Sequence, residues 1–222
     1  MRKKMPSIHS GFVGLIFFLF FALSVNNTAF SQTTPEEAVE LWNLRQTEIQ
    51  QFYQEGNLEG ALNSAQEAVS LAETAFGSGS LETISSLLLQ AQIHSEMDQL
   101  EEANQIYQVT LETSVASFGE SDATTLSVLD NYGEFLNSID PEMAEPVFQE
   151  ALQLSSEKDP QRASRMKAVG LNLLELGRII EAEGMLKQAL KTFKEISGEK
   201  NTEALSAMAS LAQLHMSQGK LK

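Results

Sequence analysis

Short turn signals recur along this chain at a fixed spacing, and that spacing constrains the fold more than any other feature. Phe76-Gly77 and Phe118-Gly119 stand 42 residues apart. The same interval separates Ala61 from Ala103 and Gly177 from Gly219. A constant period of this length is typical of repeat proteins, in which each unit is one supersecondary element that stacks on the next.

The stretch from Leu87 to Gly119 indicates what one unit contains. Its apolar residues recur at helical spacing on both sides of Asp98-Gln99, which predicts two amphipathic helices joined by a tight turn. Ala, Leu, Glu, Gln and Ser dominate the 222 residues, and runs of β-branched residues are almost absent. Because most of these residue types favour helices, the chain is expected to be all-α.

Capping residues predict where several helices begin and end. Thr34, followed by Pro35 and Glu37, has the pattern of a capping box with proline at the first helical position. Gly56-Asn57 supplies a residue that can adopt the left-handed conformation in which many helices end. The other predicted helix starts carry side chains that can cap: Ser80, Asp122 and Asp140-Pro141.

The predicted units occupy residues 35–77, 81–119, 123–159 and 160–198, with a partial unit over residues 201–222. Their spacing is not constant throughout. Ala144 and Ala182 are only 38 residues apart, and the break at Asp159-Pro160 contains no glycine. Shortening of this kind is expected in a loop, because exposed backbone tolerates changes in length.

Equivalent positions of the predicted first helices form a series. Large residues stand at positions i, i+3 and i+7 of each helix, and a small residue stands at position i+4. The series reads Leu87, Gln90, Ala91, His94; Leu129, Tyr132, Gly133, Leu136; Met166, Val169, Gly170, Leu173; and Met208, Leu211, Ala212, His215. The predicted second helices carry alanines seven apart: Ala61 and Ala68, Ala144 and Ala151, Ala182 and Ala189. Small residues at these positions let neighbouring helices approach closely.

This pattern resembles the tetratricopeptide repeat (TPR), in the longer variety of about 42 residues found in kinesin light chains. The resemblance covers about residues 35–222. It implies an all-α, right-handed superhelical α-solenoid of antiparallel helix pairs, in which stacked units bury a continuous core. The first unit departs most, with Arg45 and Glu48 at usually apolar positions, and is interpreted as an N-terminal cap. Gln90 and Thr110 are polar departures in the second unit that would need partners if they face inward.

In that family the first helices of successive units line a concave groove, which holds extended peptides or partner helices. The resemblance therefore implies a protein-binding scaffold that is not an enzyme and needs no cofactor. The groove positions carried over to this chain are polar, amide-rich and weakly acidic: Gln46, Gln50, Leu88, Gln92, Asp130, Asn131, Glu134, Lys167, Leu171 and Gln213. Some members hold a C-terminal carboxylate in a basic and asparagine clamp, of which only Lys167 and Asn131 are present here.

The first 31 residues have the layout of a secretory signal peptide. Arg2-Lys3-Lys4 is a basic start, Gly11–Val25 is almost unbroken apolar sequence, and Ala29-Phe30-Ser31 suits cleavage before Gln32. Fifteen apolar residues span only about 22 Å as a helix, short of the roughly 30 Å hydrocarbon core, which favours cleavage over a membrane anchor. We therefore expect residues 32–222 to be periplasmic or secreted, without stable membrane insertion.

Charge and cysteine content exclude several classes of partner and site. The formal net charge is −15, and removal of residues 1–31 takes away three positive charges and no acids, which brings it to −18. A chain with this much negative charge repels phosphate backbones and anionic membrane surfaces. Nucleic acid is therefore not an expected partner. Because the chain has no cysteine, it has no disulfide, thiolate metal site, cysteine nucleophile or lipoprotein anchor.

No residue pattern indicates catalysis. The sequence contains no G-x-S-x-G, G-x-x-x-x-G-K-[ST] or G-x-G-x-x-G motif. His94 and His215 occupy the large-residue position of the repeat, so they are interpreted as packed side chains rather than metal ligands or bases. Trp42 is interpreted in the same way, as packing rather than as a platform for a ligand.

Two hypotheses of function follow from these observations. The first is an exported scaffold that binds a protein or peptide in the groove, by shape complementarity and amide hydrogen bonds to an extended backbone. The second is that the repeats are the sensing or regulatory arm of a larger effector, a protease or signalling enzyme, of which this chain is the N-terminal part. It is motivated by Met208, Leu211 and His215, an apolar face that no second helix covers. A dimer through this face is the other way to cover it.

Overall fold

The computed structural model describes residues 33–197 and 202–217. Within these ranges the structure is all-helical and has no strand. The helices are α1 (Pro35–Glu55), α2 (Leu58–Phe76), α3 (Leu81–Glu96), α4 (Leu100–Phe118), α5 (Ala123–Ile139), α6 (Pro141–Leu154), α7 (Arg162–Glu175), α8 (Ile179–Ser197) and α9 (Thr202–Ser217). The predicted signal peptide over residues 1–31 and the predicted turns at Gly198 and Gly219 lie outside the described residues. Of the described helices, none combines the length and apolar character needed to cross a membrane.

The predicted helix caps are confirmed. The Thr34 hydroxyl accepts from the Glu37 N–H at 3.2 Å, while the Glu37 carboxylate accepts from the Thr34 N–H at 3.1 Å. Gly56 ends α1 with a φ of 71°, and Asp98 makes the tight turn after α3 with a φ of 60°. The remaining caps accept from backbone N–H groups as expected: Ser80 from Thr83, Asp122 from Thr124, and Asp140 from Glu142.

An arginine replaces glycine in the connection between α6 and α7. Arg162 Nη1 donates to the carbonyl oxygens of Leu152 and Ser155, at 2.8 and 2.6 Å. The last carbonyls of a helix have no partner within it, and glycine in the left-handed conformation is the usual means of satisfying them. The expectation that this loop is shortened is wrong, because the connection over residues 155–161 is longer than those over residues 77–80 and 119–122. The shortening lies in the helix before it, since α6 has 14 residues where α2 and α4 have 19.

The helices stack in sequence order as a TPR-like solenoid. Each helix packs against the next one along the chain, and first helices of successive units also meet, α3 with α5 and α7 with α9. The paired alanines of α2, α6 and α8 are all fully buried. The predicted small residues Ala91, Gly133 and Gly170 are buried too, at the crossings of each helix pair.

The polar departures Arg45, Glu48 and Thr110 find partners within the structure, whereas Gln90 is half-buried and does not enter the core. Arg45 of α1 forms ion pairs with Glu48 at 2.6 Å and with Glu67 of α2 at 2.5 Å, where other units have apolar contacts. Thr110 is fully buried, and its hydroxyl donates to the Ile106 carbonyl one turn earlier, at 2.6 Å. No partner from another helix is therefore needed.

The predicted packing series in α9 is only partly correct. Leu211 is buried as expected, but Met208 is 44% exposed, Ala212 is exposed and His215 is half-buried. The helix instead packs on α7 and α8 through a face displaced around its axis, formed by Ala204, Ala207, Leu211 and Leu214. Leu211 thus belongs to the covered face of α9, not to an uncovered one.

We predict that Gly133→Ala destabilises the fold. A Cβ at this position would lie 2.6 Å from two ring carbons of Phe148, whose side chain is buried and cannot move aside easily. Overpacking of this kind costs about 1–3 kcal/mol and alanine returns about 1 kcal/mol in helix propensity, so a net loss of about 1 kcal/mol is expected in chemical denaturation. The matched control is Gly184→Ala in α8, where a Cβ meets nothing within 4 Å. This variant should gain up to about 1 kcal/mol, and equal effects of the two changes would contradict the close-packing account.

Candidate functional site

Two neighbouring cavities lie along the row formed by α3, α5 and α7. The first cavity, of about 260 Å³, lies between α3 and α5 and is lined by Gln92, Ser95, Glu96, Tyr107, Asn131, Glu134, Phe135 and Ser138. The second cavity, of about 300 Å³, lies between α5 and α7 and is lined by Glu134, Asn137, Ser138, Phe148, Ala168, Leu171, Asn172 and Glu175. Glu134 and Ser138 belong to both, so the cavities adjoin and form one trough across three first helices.

The structure brings together four of the ten predicted groove residues. Gln92, Asn131 and Glu134 line the first cavity, and Leu171 joins Glu134 in the second. Leu88 is partly buried against the main core cluster. The other predicted positions lie elsewhere or are engaged in ion pairs: Gln46 and Gln50 on α1, Gln213 on α9, and Asp130 and Lys167.

Asp130 is held by a buried arginine that the sequence analysis did not single out. Arg165 of α7 is 4% exposed, and its Nε and Nη2 donate to the two carboxylate oxygens of Asp130, both at 2.9 Å. Its Nη1 donates to Asp159 at 2.6 Å. Burial raises the pKa of Asp130, and the Arg165 guanidinium opposes that shift. The cluster ties α5 to α7 and to the loop before it, so Asp130 is structural.

Lys167 is likewise used inside the fold. Its Nζ donates to Glu203 of α9 at 2.7 Å and lies 6.0 Å from the centre of the Phe193 ring. A cation above an aromatic face is attracted by the ring quadrupole. Lys167 therefore links α7 to α9 and leaves the two cavities without a basic side chain in their lining.

Asn172 is a second interior connection that the sequence analysis missed. Its side chain is 2% exposed, and its Nδ2 donates to Asn137 Oδ1 at 2.7 Å and to the Pro141 carbonyl at 2.8 Å. Asn137 in turn donates to Glu175 at 2.9 Å. These bonds fix one wall of the second cavity and orient the Glu175 carboxylate.

The first cavity is rich in hydrogen-bond acceptors. Gln92 uses an N–H to donate to Glu96 at 3.1 Å, and Asn131 uses one to donate to the Ser127 carbonyl at 2.8 Å. Both amide oxygens are left to accept. Partial desolvation raises the pKa of Glu134, although its side chain remains exposed to solvent, with Asp130 adding to the shift and Lys167 opposing it. The carboxylates of Glu96 and Glu134 carry two negative charges in a lining with no cation.

Aromatic rings form the inner side of the same cavity. Tyr107 of α4 is 4% exposed, and its ring centre is 5.0 Å from that of Phe135 and 5.6 Å from that of Tyr132. The Tyr132 hydroxyl donates to Asn104 at 2.8 Å. Burial raises the pKa of Tyr107 to about 12, with Glu134 and Glu96 adding to the shift. The Tyr107 hydroxyl has no hydrogen bond within the described part of the chain.

The interpretation of the first histidine as a packed side chain is confirmed. His94 is 8% exposed, and its Nδ1 lies 2.6 Å from Gln99 Oε1 across the turn after α3. Trp42 packs edge-on to Phe76 and donates to the Ser86 hydroxyl at 3.0 Å, also as expected. Across residues 33–197 and 202–217, no group of three or more His, Asp or Glu side chains is placed to hold a metal ion.

Comparison with solved structures identifies the architecture. A putative kinesin light chain of Podosopora anserina with nearly identical TPR-like repeats matches with a TM-score of 0.66 and 13% identity, over 84% of this chain and 89% of that one. The fold is that of TPR-like repeat proteins. BtubC (BKLC) of P. vanneervenii matches with a TM-score of 0.69 and 17% identity, over 84% and 81% of the two chains. PilF of Pseudomonas aeruginosa matches with a TM-score of 0.57 and 20% identity, over 82% and 71%. No family model and no curated protein matches the sequence.

Glu134 should destabilise the folded protein at neutral pH. An acid whose pKa is raised by folding binds protons more tightly in the folded state. Its contribution to the stability of the folded protein is therefore complete below the unfolded pKa and is lost as pH rises through the folded pKa. We predict that Glu134→Gln raises the free energy of unfolding at pH 7 by a few tenths of a kcal/mol. The gain should shrink as pH falls toward about 4, where the wild-type side chain is protonated.

Urea denaturation at several pH values between 4 and 7.5 measures this difference. The control is Glu112→Gln, which makes the same change on the exposed face of α4 away from both cavities. A gain for Glu134→Gln that does not vary with pH, or that Glu112→Gln reproduces, would contradict the assignment.

Proposed function

We propose that residues 35–217 are a non-enzymatic scaffold that binds an extended segment of a partner protein along α3, α5 and α7. The observation that carries the proposal is the pair of adjoining cavities that share Glu134 on this row of helices. TPR-like repeat folds commonly bind protein partners, which supports a binding role for this one. Backbone that is already helical and rigid can recognise such a segment without refolding.

Two adjoining cavities along one row of helices suit a segment that presents side chains at regular intervals, as a polyproline II-like segment does. A polyproline II segment rises about 3.1 Å per residue and turns once every three residues, so side chains at i and i+3 point the same way about 9 Å apart. Two such side chains would enter the two cavities, while Gln92 and Asn131 accept backbone N–H groups with their free amide oxygens.

The binding proposal is tested by combining Gln92→Ala with Asn131→Ala. Peptides are first selected from a displayed random library on the wild-type protein, and affinities are then measured by fluorescence polarisation. Each lost hydrogen bond is worth about 1 kcal/mol, so the double variant should bind about 30-fold more weakly.

The matched control combines Gln149→Ala with Asn63→Ala, which removes the same two side chains from exposed positions on α6 and α2. This control should keep wild-type affinity. If the groove variant binds the selected peptides as tightly as the control does, the segment does not lie along these helices and the proposed function is wrong.

We further propose that the scaffold works outside the cytoplasm. The support is the basic start, the apolar run Gly11–Val25 and the small residues before Gln32.

Residues 1–34 fused to alkaline phosphatase, which becomes active only where its disulfides can form, should give an active enzyme in a bacterial host. Its N-terminus after processing should begin at Gln32. Phe18→Arg, which places a charge in the apolar run, is the control and should abolish activity. An inactive or unprocessed wild-type fusion would contradict export.

A further inference from the structure

We propose that the cavity between α3 and α5 receives an arginine side chain of the bound segment. This inference rests on the proposed function, which supplies the segment, and it names the residue type that the first cavity selects. The observations behind it are the charge of the lining, an unpartnered hydroxyl that opens into the cavity and the arrangement of acceptors around them.

The charges at the cavity are not balanced by the protein itself. Glu96 enters from α3 and Glu134 from α5, and the lining contains no basic residue. Asp130, which raises the pKa of Glu134, is already neutralised by Arg165. Lys167 lowers the pKa of Glu134, but its ammonium group is bound to Glu203. Both glutamate side chains are exposed to solvent, and two like charges that face one cavity repel each other, so the cavity favours a cation.

Tyr107 provides a second observation, independent of the two acids. Its side chain is 4% exposed, it lines the cavity, and its hydroxyl makes no hydrogen bond to any described residue. Both Glu96 and Glu134 act on its pKa, so the hydroxyl lies in the field of both carboxylates. The hydroxyl opens into the cavity and has no partner in the described protein, so it is available to an atom of a ligand.

The arrangement favours arginine over lysine. The first cavity presents the two carboxylates and the amide oxygens of Gln92 and Asn131, all of which accept hydrogen bonds. A guanidinium has five N–H donors and no acceptor, and its planar fork can pair with a carboxylate through two bonds. Its flat face can also stack on a ring, and Tyr107 and Phe135 supply one. An ammonium group is a compact point charge with three donors and cannot pair and stack in this way.

The experiment uses peptides selected on the wild-type protein from a displayed random library at about 0.15 M salt, where long-range attraction between exposed charges is screened. Arginine should recur at one position of the selected peptides. One such peptide is then made with citrulline at that position, which keeps the shape of arginine without the charge, and with lysine. Affinities are measured for wild type, for the double variant Glu96→Gln with Glu134→Gln, and for the control Glu112→Gln.

We expect citrulline to weaken binding to the wild type and to Glu112→Gln at least tenfold, and lysine to weaken it at least threefold. In the double variant the arginine and citrulline peptides should differ less than threefold, because the cavity no longer carries charge. Circular dichroism verifies that the two glutamine changes, which keep the side-chain shape, leave the fold intact.

Any other outcome overturns the inference, and the outcomes differ in whether the proposed binding along α3, α5 and α7 is also wrong. Selected peptides without a recurrent arginine, whose binding still depends on Gln92 and Asn131, would show that the groove binds but the cavity does not select arginine. A citrulline effect that persists in the double variant, or a loss that Glu112→Gln reproduces, would show attraction by net charge alone. If no peptide is recovered, or if recovered peptides ignore every groove change, the proposed function fails together with the inference.

Discussion

The whole solenoid depends on the close approach of helix backbones at small side chains. Ala91, Gly133 and Gly170 occupy equivalent positions in successive first helices, and at the last two an added Cβ would overlap Phe148 or Leu186. Because these crossings are tight, the neighbouring first helices come close enough to share a cavity wall. The trough along α3, α5 and α7 is therefore a consequence of packing, since its dimensions are set by residues that lie beneath it.

Local signals explain why so much of the fold could be predicted from the sequence. A capping box such as Thr34 with Glu37, or a left-handed residue such as Gly56, acts within a few residues of the chain. The interior polar connections could not be predicted in this way. Arg165 meets Asp130 across 35 residues, and Asn172 reaches Pro141 across 31. Nothing in the periodicity distinguishes these residues from others on the polar side of a helix.

The residues of the candidate site also fall into those that could be predicted from the sequence and those that could not. Gln92, Asn131 and Glu134 were predicted because the resemblance to the tetratricopeptide repeat carries its groove positions over to these residues of the first helices. Tyr107 was not predicted as a site residue, because it belongs to a second helix and reaches the cavity from behind. Glu96 was missed because it is the last residue of α3, beyond the repeated positions. A search for acids at both ends of successive first helices would have found Glu96 and Glu175.

Asp130 and Glu134 lie one helical turn apart, yet their surroundings differ in a way that separates structure from binding. Asp130 loses water but gains a bidentate arginine, whereas Glu134 forms no ion pair in the described part of the chain and only the field of Lys167 lowers its pKa. An acid that weakens the folded state and has no partner of its own is unfavourable for stability alone. Its charge becomes favourable when a cation from outside enters the cavity, so the same side chain that weakens the free protein would strengthen the complex. The net charge of −15 attracts any basic chain, but only carboxylates that line one cavity can select where its positive charge is placed.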